Sequence, residues 1–131
     1  MYFLSGIEAN GKGELLTFEV NKEWAELAGK NLVQISKKFK LTVGTFEDNI
    51  DACLEKDSRI DLAFIDGIHT KEFVIPQLEI VVKHCNKGAI IILDDIDFSD
   101  NMAECWAEVS VDQRFSSSLK LGNRVGILEL K

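Results

Sequence analysis

Ile60-Asp61-Leu62-Ala63-Phe64-Ile65-Asp66-Gly67-Ile68-His69 is a short apolar run that stops abruptly in an acid, a glycine and a histidine. Leu62 to Ile65 show no polar alternation, which predicts a strand buried on both faces, as in a parallel sheet. In open α/β sheets ligands sit beyond the carboxyl ends of the strands, so Asp66 and His69 stand where chemistry is expected. A second run, Ala89 to Leu93, ends in Asp94 and Asp95, and a third, Leu15 to Phe18, ends in Glu19. Three strands delivering carboxylates at the same end set the frame for the rest of the chain.

Outward from that stretch, helical and strand patterns alternate. Met1 to Asn10 reads as the end of a helix, stopped by Gly11. A strand follows to Glu19, and Asn21 is suited to cap the next helix. From Glu23 to Lys38, Trp24, Leu27, Ala28, Leu32 and Ile35 recur at helical spacing as the buried face. Lys40 to Val43 is a strand closed by Gly44, and Glu47 to Lys56 a helix directing Ile50, Cys53 and Leu54 inward. After the Ile60 strand, a helix opens at Thr70 or Lys71 and runs to about His84, with Pro76 delaying its start or kinking it. Asn101 to Val109 is a helix with Met102, Cys105 and Trp106 on one side. Ser116 to Leu121, a Gly122-Asn123 turn and Arg124 to Leu130 form a β-hairpin. Strands separated by helices imply right-handed crossovers and a parallel sheet. The expectation is one α/β domain over 1–131.

The bulk composition narrows the function. The formal net charge of −7 over 131 residues argues against a nucleic-acid partner, whose phosphates need a basic footprint. No apolar run approaches the roughly 18 residues of a membrane span, and no signal peptide is visible. A cytoplasmic protein with a small-molecule substrate is expected. Cys53, Cys85 and Cys105 are widely spaced and form no CxxC, so they read as reduced thiols rather than as zinc ligands or a disulfide framework.

Each carboxyl-end residue has two readings. Glu19 is placed to accept both hydroxyls of a ribose, or is an acid favoured by the dipole of the next helix. Asp66, Asp94 and Asp95 would repel one another unless a cation or protons intervene, and hard oxygen ligands suit Mg²⁺, Ca²⁺ or Mn²⁺. Alternatively, all three cap the elements that follow them. His69 is a candidate general base toward a substrate hydroxyl, or a loop histidine. Thr45 and Phe46 lie at the end of another strand, where the ring packs on a purine or belongs to the core. His84, near a helix C-terminus, is explained by the dipole.

Taken together, FEVN at Phe18–Asn21, GTFED at Gly44–Asp48, DLAFIDGIH at Asp61–His69 and GAIIILDDID at Gly88–Asp97 resemble the class I S-adenosylmethionine-dependent methyltransferases. The D-G-x-H and L-D-D elements are similar to those of the metal-dependent, catechol-type O-methyltransferases. The resemblance implies a Rossmann-like methyltransferase fold: a mostly parallel sheet with a C-terminal antiparallel hairpin. It implies cofactor contacts at Glu19, Asn21, Thr45, Phe46 and Asp66, catalysis by His69 and Asp66, and a divalent cation such as Mg²⁺ on Asp66, Asp94 and Asp95. Family members show Asp-Asn where this chain has Asp94-Asp95, and a catalytic lysine where it has His69. The first strand and its glycine-rich turn find no counterpart, which gives the expectation of an N-terminally truncated methyltransferase-like domain. Two functions follow: O-methyl transfer to a small hydroxyl substrate, or a non-catalytic module of the same fold. A homo-oligomer through an exposed sheet edge is expected in either case.

Overall fold

The alternation read from the sequence is present. In chain order the elements are α1 (Tyr2–Asn10), β1 (Leu15–Glu19), α2 (Lys22–Leu32), β2 (Phe39–Val43), α3 (Phe46–Cys53), β3 (Ile60–Ile65), α4 (Lys71–His84), β4 (Cys85–Leu93), α5 (Asp100–Val109), β5 (Phe115–Leu121) and β6 (Val125–Leu130). The computed structural model describes all residues, 1–131, and these gather into two units, 1–56 and 57–131. No helix is long and apolar enough to cross a membrane, and all three cysteines are free.

In the first unit β1 and β2 form a two-stranded parallel sheet, in register from Leu15 opposite Phe39 to Glu19 opposite Val43. Helix α1 closes on Gly11, whose left-handed conformation turns its N–H onto the Glu8 carbonyl. Helix α2 lies against β1 and β2. It buries Ala25 and Leu32, and Gly29 lets the helix approach Leu41 closely. The expected apolar face is corrected here: Trp24 is 65% and Leu27 59% exposed. The helix meets the strands along Ala25, Gly29 and Leu32, a face that leaves Trp24 and Leu27 toward solvent. The helix also ends at Leu32 rather than near Lys38. Ser36 accounts for this, because its hydroxyl donates to Glu8 and accepts the Lys38 N–H, a local turn that competes with helix.

In the second unit the strand order is β3-β4-β6-β5. β3 and β4 are parallel, β6 is antiparallel to β4, and β5 antiparallel to β6; the parallel pairs and the closing hairpin that the sequence implies are present, but in two sheets rather than one. Helix α4 buries Val74, Leu78 and Val81, packs on β3 and α5, and passes through Pro76 without ending. Helix α5 buries Met102, Cys105 and Val109. Gly126 on β6 lies under the Trp106 indole, and a Cβ there would overlap the ring.

The reading of β3 as buried on both faces is overturned. Leu62 is 45% and Phe64 46% exposed, and of its apolar residues Ile65 alone is buried. Leu62 and Phe64 lie on the less covered face of the sheet, beside the half-buried Ile90 and Ile92, and β3 is an edge strand, whereas β4 lies between β3 and β6.

Candidate functional site

The carboxyl ends of β1 and β2 carry the first group of expected residues. Glu19 is the last residue of β1 and stands opposite Val43, the last of β2. Its Oε1 accepts the Asn21 N–H at 2.7 Å, which aims the carboxylate along the turn into α2. Asn21 is the N-cap of α2, its side-chain oxygen accepting from the N–H groups of Glu23 at 2.9 Å and Trp24 at 3.1 Å. Thr45 caps α3: its hydroxyl accepts the Asp48 N–H and donates to the Asp48 carboxylate at 2.7 Å. Phe46 stands edge-on to Phe18 with ring centroids 5.4 Å apart. These four residues therefore hold the strand ends in shape, and Glu19 carries the formal charge among them.

The second group lies at the carboxyl ends of β3 and β4. Ile65 pairs with Leu93, and the Asp94 N–H donates to the Ile65 carbonyl, so the next residues, Asp66 and Asp94, leave the sheet side by side. Partial burial and the neighbouring Asp94 carboxylate push the Asp66 carboxyl above its ordinary value. Gly67 follows, and a Cβ there would come within 2.6 Å of the Phe73 ring. The glycine of D-G-x-H thus lets the loop that carries Asp66 and His69 close onto α4. Asp95 has a φ of 51°, a left-handed conformation that Asp tolerates better than most residues. It sets Oδ2 of Asp95 3.4 Å from His69 Nε2. The exposed Phe98 ring lies beside the imidazole, with centroids 5.2 Å apart.

Arg124, at the turn between β5 and β6, joins this group and has no local sequence signal. Its Nε and Nη2 each lie 3.1 Å from Asp94, on Oδ1 and Oδ2 respectively, a two-pronged contact. Nε also lies 2.6 Å from Asp95 Oδ1. The Arg124 carbonyl accepts the Ile96 N–H at 2.9 Å, so the backbone that carries the guanidinium is tied to the loop after β4. The structure thus brings Asp66, His69, Asp94 and Asp95 together but does not present the three aspartates as ligands. Nowhere in the chain do three His, Cys, Asp or Glu side chains converge so as to hold a metal ion. Asp94 presents both oxygens to Arg124 and Asp95 one, the other Asp95 oxygen facing His69, and the donor set does not fit a resident divalent cation.

A methyltransferase domain family matches residues 1–96, and the chain belongs to that family. Among solved structures it is similar to the O-methyltransferase of Bacillus cereus in complex with SAH, at 18% identity and a TM-score of 0.71, covering 91% of this chain and 63% of that one. It is also similar to the O-methyltransferase TomG of Streptomyces achromogenes in complex with SAM, at 15% identity and a TM-score of 0.73, covering 91% and 62%. The SAH-bound methyltransferase of Podospora anserina follows at 18% identity and a TM-score of 0.67, covering 90% and 61%. No protein of curated function matches. The fold is thus that of the class I methyltransferases, and the chain spans less than two thirds of the length of these three structures.

Proposed function

We propose that this chain is the S-adenosylmethionine-using part of an O-methyltransferase acting on a small hydroxyl substrate. The observation that carries the reading is the chemistry at the carboxyl ends: Glu19 closing β1 beside β2, and Asp66 and His69 following β3 with Asp94 and Asp95 following β4. The family supports methyl transfer, and structural neighbours that hold SAM or SAH support the cofactor.

S-adenosylmethionine supplies a methyl group made electrophilic by the positive sulfur it leaves. Glu19 is assigned to the ribose hydroxyls, which a carboxylate at a strand end can accept together. Thr45 and Phe46 are assigned to the adenine side, and Asn21 to shaping the turn that presents Glu19. At the ends of β3 and β4, His69 would take the proton of the acceptor hydroxyl, and the bound cofactor would supply the methyl group that this oxygen receives. Asp95 stands behind the imidazole and holds the orientation of the ring. Asp66 is assigned to the cofactor and substrate side of the same loop. The non-catalytic reading has no observation in its favour.

The test is calorimetric titration of the chain with S-adenosylhomocysteine. Saturable binding that weakens about tenfold or more in Glu19→Ala is expected, since a ribose-holding carboxylate accepts two charge-assisted hydrogen bonds. Unchanged affinity in Glu19→Ala removes that residue from the proposal, and no binding at millimolar ligand removes the cofactor. Self-association is also proposed, through the edge of β3, where Leu62 and Phe64 are exposed.

A further inference from the structure

At the carboxyl ends of β3 and β4 the chain carries its own cation. The three aspartates there are the ones a divalent metal would need, and hard carboxylate oxygens suit Mg²⁺ or Mn²⁺. Yet the guanidinium of Arg124 holds both oxygens of Asp94 and reaches Oδ1 of Asp95. The other Asp95 oxygen faces His69. Asp94 is the less exposed member of its pair with Arg124, and it is the carboxylate that the arginine grips with two nitrogens. The Arg124 side chain is largely exposed, but the backbone that carries it is held in place by the fold. The Gly122 turn, the pairing of Leu93 with Gly126 and the Ile96 N–H to Arg124 carbonyl bond set the arginine backbone beside the loop after β4.

We propose that Arg124 replaces the divalent cation at this site: its guanidinium neutralises Asp94 and Asp95, fixes Asp95 behind His69, and keeps metal out. The proposal rests on the methyl-transfer reading only for its use in catalysis, since the exclusion of metal is a property of the chain itself. Arg124 acts through Asp95 and is a positioning residue. A planar, permanently charged fork can hold two carboxylates at once without dehydrating an ion, whereas Mg²⁺ binding requires an octahedral set of oxygens. With the arginine removed, Asp94 and Asp95 would lose their compensating charge beside Asp66, whose carboxyl already feels both, and movement of these side chains around a divalent cation becomes one relief of their repulsion.

The experiment is titration of the whole chain with Mn²⁺ alone, followed by electron paramagnetic resonance of the free ion, with wild type, Arg124→Ala and Arg124→Lys. Wild type is expected to bind no tighter than about millimolar, and Arg124→Ala at least about tenfold tighter, because the freed carboxylates become available as hard ligands. Adding Asp94→Asn to Arg124→Ala should abolish the gain. Arg124→Lys, which keeps the charge and the fold without the fork, should lie between the two and guards against misfolding of the alanine variant. Stoichiometric micromolar Mn²⁺ binding by wild type overturns the proposal, as does a failure of both Arg124 variants to bind more tightly than wild type. No cofactor enters the titration, so its failure leaves the S-adenosylhomocysteine result standing, and the reverse also holds.

Discussion

β3 and β4 are two apolar strands of the same sheet, parallel and adjacent, both ending in aspartates, and they meet opposite fates. β4 lies between β3 and β6 and buries Ala89, Ile91 and Leu93. β3 stands at the edge and leaves Leu62 and Phe64 exposed. Composition does not separate them: LAFI and AIII are equally apolar. Two things separate them: Leu62 and Phe64 lie on the less covered face, beside the half-buried Ile90 and Ile92 rather than the buried Ile91 and Leu93, and β3 pairs with one neighbour where β4 pairs with two. An edge strand with large apolar side chains is unusual, because natural edges are blunted with polar residues. The other edge strand, β5, follows the rule with Ser116, Ser117, Ser118 and Lys120.

The comparison is broken or sharpened most strongly by truncating each strand. Ile91 is fully buried, and Ile91→Ala should cost about 2–5 kcal/mol through lost transfer and the cavity left behind. Leu62→Ala should cost less than about 1 kcal/mol, since much of that side chain is already in water. Urea denaturation of both variants measures the difference, and equal losses would show that β3 is as buried in solution as β4.

A smaller effect is expected at the edge itself. If β3 mediates self-association, Leu62→Lys should shift sedimentation toward the monomer, because a charged residue on an edge opposes strand pairing. An unchanged distribution of species would move the association elsewhere or remove it.

The smallest effect belongs to the residue that follows β3. The Asp66 carboxyl is raised in the folded chain by partial burial and by Asp94. The folded state therefore holds this proton more tightly than the unfolded state. The stability tied to it is present at acid pH, below the unfolded value, and is lost as pH rises through the folded value. Asp66→Asn should be more stable than wild type at neutral pH, by less than about 1 kcal/mol after solvent screening, and equal to it in acid. Thermal melts at the two ends of that range check the sign, and a variant less stable at neutral pH would reverse it.

Much of the candidate site was legible because its signals are local. Asn21 and Thr45 cap their helices through bonds spanning two or three residues, and such bonds leave a pattern in any short window. The carboxyl-end acids were found by the same logic, since an apolar run and its terminating residue are contiguous. The apolar face of α2 was misread for the opposite reason. Trp24 and Leu27 fit the helical period, but packing against β1 and β2 runs along Ala25 and Leu32 instead. Phe73 is likewise the reason for Gly67, and nothing in the D-G-x-H pattern names it.

The sequence by itself determined the succession of helices and strands, the hairpin, the caps and the placing of Glu19, Asp66, His69, Asp94 and Asp95 at strand ends. Each of these follows from hydrogen bonds and side-chain periods within a few residues. Only the tertiary structure decided that β3 is an edge and β4 is not, because strand order is a matter of pairing between distant segments. It alone also decided that Arg124, 30 residues beyond Asp94, supplies the positive charge among the aspartates. A charge–charge contact across a sheet depends on where the hairpin folds back, and no window along the chain contains both partners.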